Sequence, residues 1–256
     1  MNRYFDISGK KVLIIGGTSG IGLAVARRFA EAGASVAVSG RKNRLQDADR
    51  TIDFIAGDVD DESSVDGLFD AAAKKFGNAD CLIINAGIAP DDGGKFGAMA
   101  TDTFDGAMTT NTRGAFLCLN RAPDITADGG SIIVTTSGAA DVVFPGYAIY
   151  GASKSALSIL ARHAAAQLGA RGIRVNCLSP GTIVTPIQPE NDPEAIICKA
   201  HTCLGRTGTT DDVVGAYHFL ASDESRFVTA AELVVDGGWV GGLTERSAHA
   251  LLHAAD

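Results

Sequence analysis

Long apolar runs are missing from this sequence. The longest unbroken one, Ala115–Leu119, has five residues, far short of the roughly 20 that cross a bilayer. No membrane association is expected. The opening MNRYFDISGKK carries no apolar stretch, so a secretory leader is not expected either. Dense runs of lysine and arginine are also missing. The 22 basic residues are outnumbered by 30 acidic ones, and a net charge of −8 argues against a partner with a phosphate backbone, so no nucleic acid is expected. Cysteine is sparse and scattered, at 81, 118, 177, 198 and 203. An odd number without a repeated spacing excludes a disulfide framework and points to reduced thiols in a cytoplasmic protein. There is no internal repeat, no low-complexity tract and no Pro/Ser/Gly linker, so residues 1–256 read as one domain. Apolar residues, by contrast, make up 46% of the chain, enough for a substantial core.

Short β-rich runs alternate with Ala-rich helical stretches. The runs are Lys11–Ile15, Ser35–Val38, Ile52–Ala56, Cys81–Ile84, Ser131–Thr135, Ile173–Leu178 and Glu232–Val235. Several are apolar at successive positions, the pattern of strands covered on both faces. Gly20–Ala32, Ser63–Phe76, Phe104–Leu119, Ser153–Gly169 and Asp211–Ala221 read as helices. This succession predicts an α/β chain: a doubly wound parallel sheet of about seven strands with helices on both faces and right-handed crossovers. Residues 182–206 form a long connection with three prolines, read as a substrate-loop segment. A short helix is expected in the tail after Val235.

The first strand runs into Gly16-Gly17-Thr18-Ser19-Gly20-Ile21-Gly22, and a helix follows. Glycines there permit a tight turn and close approach to a pyrophosphate. The helix N-terminus adds free N–H groups and a partial positive charge. Past the second strand comes Ser39-Gly40-Arg41-Lys42-Asn43-Arg44, with no acid before Asp47. An acid would bind the ribose hydroxyl of NAD; Arg41 suits the extra phosphate of NADP, the alternative being a solvated loop arginine. Tyr150-Gly151-Ala152-Ser153-Lys154 lies thirteen residues beyond Ser137. If Tyr150 and Lys154 are helical, they share a face. A free tyrosine titrates near pH 10, and a neighbouring ammonium favours the phenolate. Tyr150 could then exchange a proton with an alcohol or carbonyl oxygen, which Ser137 could hold.

The whole ordered set is Gly16-x-x-x-Gly20-Ile21-Gly22, Asp58-Val59, Asn85-Ala86-Gly87, Asn111, Ser137, Tyr150-x-x-x-Lys154, Asn176-x-x-Ser179-Pro180-Gly181 and Asp236-Gly237-Gly238. It resembles the motifs of the short-chain dehydrogenases/reductases, in their single-domain group, along nearly the entire chain. The resemblance implies a Rossmann fold, an NADP(H) cofactor with NAD(H) as the alternative, and a catalytic set of Asn111, Ser137, Tyr150 and Lys154. It makes Tyr150 the general acid/base, with Lys154 also holding the nicotinamide ribose. Asn111 would sit in a helix bend and anchor a water beside Lys154, its other reading being a cap or kink. Asp58 would meet the adenine beside Val59, its other reading being a turn. Asn85, Ala86 and Gly87 would line the adenosine side. Pro180, Gly181, Ile183 and Thr185 would shape the nicotinamide end.

This chain departs from the family pattern in three places. Ile15 stands where Thr is frequent and Ile84 where a first Asn is frequent. The stretch from Gly40 to Asp58 is short, leaving room for a single helical turn at most.

The substrate side is read as Val142, Val143, Phe144, Gly146, Tyr147, Ile187, Ile196, Ile197 and Leu204, mostly apolar. A neutral ketone or secondary alcohol is therefore expected. A 3-oxoacyl reductase acting on a carrier protein or CoA is the alternative, and a non-catalytic dinucleotide sensor is a second. Trp239 reads either as a subunit contact or as part of the pocket. Cys198-x-x-His201-x-Cys203 and the pair His249/His253 are set aside as metal ligands. The resemblance also implies a homotetramer in which the helices around 104–119 and 153–169 pair, with Ala156, Ala161, Ala164 and Ala165 at the contact.

Overall fold

A computed structural model describes residues 4–90, 95–185, 193–242, 244, 245, 247 and 248. Seven strands form one sheet: β1 Lys11–Ile15, β2 Ser35–Gly40, β3 Ile52–Ala56, β4 Ala79–Ile84, β5 Thr126–Thr135, β6 Arg174–Pro180 and β7 Glu232–Val235. Their order is β3-β2-β1-β4-β5-β6-β7, and every pairing is parallel. The helices are α1 Gly20–Glu31, α2 Glu62–Phe76, α3 Thr101–Ala107, α4 Gly114–Ile125, α5 Ala148–Leu168, α6 Pro193–His201 and α7 Thr210–Ala221.

Successive apolar residues along β1 divide between two cores. Leu13 and Ile15 join α2, α4 and α5 on one face, with Leu82, Ile84, Ile132 and Val134. Val12 and Ile14 join α1 and α7 on the other, with Val36, Val38, Ile83 and Leu178. This is why the strands read as continuous apolar runs. The two departures at Ile15 and Ile84 meet here: they are register partners on β1 and β4, both buried, so an apolar contact stands where polar groups would tie the strands. Chain order reverses between β1 and β4, which opens a crevice at their C-terminal ends.

The expected helix Phe104–Leu119 is three pieces. Between α3 and α4 the backbone adopts a π-helical turn, Met108–Arg113. Asn111 and Thr112 in it are drawn toward α5 and the end of β4: Thr112 Oγ1 donates to Ser153 O at 3.0 Å. Such bonds lie outside any local periodicity. Helix α5 starts at Ala148, five residues before its expected start. Between β2 and β3 stands the single turn that the short spacing leaves room for, Asp47–Asp49. Ala161 and Ala165 correct the assembly expectation. Both are buried in the chain's own core against the sheet, so neither can meet a partner's helix. His249, His253 and Ile187 lie outside the described residues, as does most of the expected tail helix.

Candidate active site

The crevice holds a cleft of about 680 Å³ lined by the C-terminal ends of β1, β2, β4, β5 and β6. Gly16, where β1 turns, has φ +79°, and a Cβ there would come within 2.6 Å of Ala86 Cα. Asn85 Nδ2 donates to Gly16 O at 3.0 Å. At Gly22 a Cβ would stand 2.3 Å from that same oxygen. Only glycine lets β1, β4 and the first turn of α1 press together this closely. Ser19 precedes α1 without a side-chain cap, and the first turn carries no acid. Thr18, Ser19, Gly20 and Ile21 all line the cleft. Uncapped N–H groups and the positive end of the helix dipole there fit an anionic pyrophosphate.

Arg41, Lys42 and Arg44 line the cleft beyond β2, and among the described residues no ion pair engages them. The one buried acid among the described residues, Asp49, is occupied elsewhere: Arg27 donates to it through Nε at 2.6 Å and Nη2 at 3.0 Å. These bonds hold the Asp49 carboxyl below its usual range. Asp58 and Val59 form the adjoining wall. Asp58 also orders a turn, its Oδ1 accepting from Asp60 N at 3.2 Å. Asn85, Ala86 and Gly87 continue the lining, and Pro180, Gly181, Ile183 and Thr185 close the opposite end.

Tyr150 and Lys154 both fall within α5, one turn apart. Lys154 Nζ stands 6.0 Å from the Tyr150 ring centroid and donates to Thr135 O at 3.0 Å. Burial pushes the Lys154 ammonium down to about 8. A Cβ on Gly87 would sit 3.1 Å from both Lys154 Nζ and Asn111 Oδ1, so the backbone of 87 is pressed against both. Ser137 lines the cleft with Tyr150 and caps the single turn Gly138–Ala140, its Oγ accepting from Ala139 N at 3.2 Å.

Asn111 is fully buried and does not line the cleft. Its Nδ2 donates to Ile88 O at 2.8 Å and to Ser153 Oγ at 2.9 Å, and its Oδ1 accepts from Ile88 N at 2.7 Å. Ser153 Oγ donates in turn to Tyr150 O at 2.7 Å. Asn111 therefore joins the π-turn, the segment after β4 and the start of α5.

Of the apolar substrate candidates among the described residues, Tyr147 alone lines the cleft. Phe144 is in edge contact with Tyr147 and Trp239. Val143, Ile196, Ile197 and Leu204 are exposed side chains away from the lining. Trp239, left open by the sequence, lines the cleft. Thr135 and Thr136 also line it, and their place at the end of the fifth strand was a usable signal. No sequence signal placed Trp239, which depends on how the turn after β7 folds. Cys198, His201 and Cys203 take separate partners: Thr182 Oγ1, Ser247 Oγ and Gly238 O.

A family model described as enoyl-(acyl carrier protein) reductase matches residues 16–240. A 3beta-hydroxysteroid dehydrogenase 1 from Eggerthella lenta is 33% identical over 253 residues, covering 92% of this chain and 95% of the relative. The structure of a short-chain dehydrogenase/reductase from Serratia marcescens superposes with a TM-score of 0.86 at 32% identity, over 92% of this chain and 99% of that one. A short-chain dehydrogenase from Burkholderia cenocepacia, solved in complex with NADP, gives 0.85 at 30% identity, over 93% and 100%. Sequence, sheet order and the crevice at the strand reversal agree, and the chain belongs to the short-chain dehydrogenases/reductases, an NAD(P)-using oxidoreductase family on the Rossmann fold.

Proposed function

We propose that this protein transfers a hydride between NADP(H) and a neutral, largely apolar ketone or secondary alcohol, with Tyr150 as general acid/base. One observation carries the reading. A tyrosine and a buried lysine one helical turn apart line the cleft that the glycine turn opens into. The dinucleotide, when bound, supplies or receives the hydride. Gly16, Thr18, Ser19, Gly20, Ile21 and Gly22 would hold its pyrophosphate, and Asp58, Val59, Asn85, Ala86 and Gly87 its adenosine side. Pro180, Gly181, Ile183, Thr185 and Lys154 would hold its nicotinamide end. Arg41 favours the extra phosphate of NADP, and NAD(H) is the alternative.

At the reacting oxygen, Tyr150 Oη gives or takes the proton. Ser137 holds the same oxygen, its hydroxyl hydrogen pointing away from the bond that it accepts from Ala139 N. Both act where charge develops. The Lys154 ammonium favours the phenolate. Asn111 is a positioning residue: it holds Ser153, which holds the backbone of Tyr150.

The neutral substrate is favoured by the pairing of two cations that an acidic partner would need. Arg206 is clamped by both oxygens of Asp212 at 2.7 Å, and Arg121 is held by Asp66, Asp70 and Asp124. Both are already paired with carboxylates, which weighs against docking of an acidic carrier or a CoA phosphate and so against the 3-oxoacyl reductase. A non-catalytic sensor has no use for the Tyr150–Lys154 pair. The chain reads as a single dinucleotide-binding and catalytic domain with 182–206 as its substrate loop. Its thiols fit a reducing compartment such as the cytoplasm, and the assembly reading is a homotetramer.

Tyr150→Phe tests the reading. It should keep the fold and cofactor affinity while lowering turnover at least about a hundredfold, the usual worth of a positioned proton donor. More than a tenth of the wild-type rate remaining would overturn the assignment.

A further inference from the structure

Four aromatic rings run in series from the proposed acid/base. Tyr150 meets Tyr147 at 5.9 Å between centroids and 77°, Tyr147 meets Phe144 at 5.5 Å and 72°, and Phe144 meets Trp239 at 5.7 Å and 78°. Each contact is edge-on, the preferred approach of aromatic quadrupoles, so each ring sets the tilt of the next. Tyr150, Tyr147 and Trp239 line the cleft, and Phe144 joins the last two by its edge contacts with both.

The turn carrying Trp239 is tightly held. Asp236 accepts from Gly238 N and Val240 N, each at 2.7 Å. Leu204 N donates to Gly237 O at 3.1 Å, and Cys203 Sγ to Gly238 O at 3.3 Å. A Cβ on Gly238 would lie 2.7 Å from Cys203 Sγ. Trp239 itself is 9% exposed, so its ring is fixed in the wall and does not hang into the opening. Ser137 and Ala139 line the cleft nearby, and among the described residues Lys154 is the one cation lining this end.

We propose that Tyr147 and Trp239, wedged by Phe144, are the specificity wall of this site, and that it selects substrates with a planar or cyclic group attached to the reacting carbon over open-chain ones. The inference rests on the reductase reading for its chemistry but not for its binding. A preset aromatic wall presents a rigid apolar face with little rotamer freedom to lose. A ring meets it as a rigid face, whereas an alkyl chain must be ordered to do so.

Trp239 is the chain's single tryptophan, so its emission reports on this wall alone. The wild-type protein is titrated with 1-phenylethanol and with the carbon-matched open-chain 2-octanol. The expected result is a saturable change in tryptophan emission with half-saturation at least about tenfold lower for the ring alcohol. In parallel, Trp239→Leu should lower the preference for acetophenone over 2-octanone, measured as the ratio of kcat/KM values, by about tenfold or more. Equal half-saturation for the two alcohols, or no saturable change, overturns the proposal. So does an unchanged ratio in Trp239→Leu. Selective emission changes in a protein that reduces neither ketone would sustain the wall and sink the reductase reading.

Discussion

Lys154 carries a charge that its surroundings oppose. It is buried and donates to one backbone carbonyl, Thr135 O, and burial pushes it down to about 8. An unfolded lysine titrates near 10.4, so the sign is fixed. Below pH 8 both states hold the proton and the fold carries the full desolvation penalty. From about pH 8 to 10.4 the folded chain releases its proton first, and this group's contribution makes the cofactor-free protein more stable as pH rises. Lys154→Met should therefore raise the thermal midpoint at pH 7 by the equivalent of about 1–3 kcal/mol. The gain should shrink toward pH 10, while turnover is lost. Calorimetry on both proteins at the two pH values checks this; equal midpoints at pH 7 would refute it. Arg41 offers a second test at this scale. With Asp49 bound to Arg27, no buried acid competes for it. Arg41→Ala should weaken NADP(H) binding about ten- to a hundredfold, the worth of a charged hydrogen bond, and leave NAD(H) unchanged in a fluorescence titration. Equal wild-type affinity for the two cofactors would remove the argument.

Two helical glycines separate close packing from open surface. Gly22 lies in the first turn of α1, where an added Cβ meets Gly16 O at 2.3 Å and Asn85 Nδ2 at 2.8 Å. Gly67 lies in α2 with nothing within 4 Å of an added Cβ. Gly22→Ala should lower stability by about 1–3 kcal/mol through overpacking and weaken dinucleotide binding, because β1, β4 and α1 must part. Gly67→Ala should raise stability by about 0.4–1 kcal/mol, through lost freedom of the unfolded chain and better helix propensity. Denaturant titration of both variants measures the contrast, and a neutral Gly22→Ala would mean that the turn relaxes freely. The break at the π-turn belongs to this scale as well. Sequence periodicity ran through Asn111 because the groups that bend the backbone there, Ile88 and Ser153, are 23 and 42 residues away.

Helices α4 and α5 cover the same face of the sheet, and each leaves a large apolar side chain in solvent. Phe116 of α4 and Ile159 of α5 are about half exposed. Faces of this kind mark contacts between proteins. A symmetric homotetramer should appear by light scattering at micromolar concentration, and Ile159→Arg should reduce its mass while leaving the circular dichroism unchanged. A monomeric wild type would overturn the assembly reading. The contact cannot run through Ala161 and Ala165, which the sheet already covers.

The sequence by itself determined the strand and helix succession, since burial on both faces demands apolar residues at consecutive strand positions. It also determined which residues could carry charge, nucleophile or tight turn, because those are properties of the side chain. The short spacing from Gly40 to Asp58 likewise limited the chain to one turn between β2 and β3. Only the tertiary structure decided what faces what. It brought the glycine turn at 16–22 and the pair Tyr150/Lys154 to one cleft, buried Lys154 deeply enough to shift its proton, and turned Asn111 away from the opening. It set Phe144 edge-on between Tyr147 and Trp239 and brought Trp239 into the cleft lining. These outcomes depend on bonds and contacts between segments far apart in the chain. No local pattern encodes which partner a side chain meets once parallel strands have stacked their ends together.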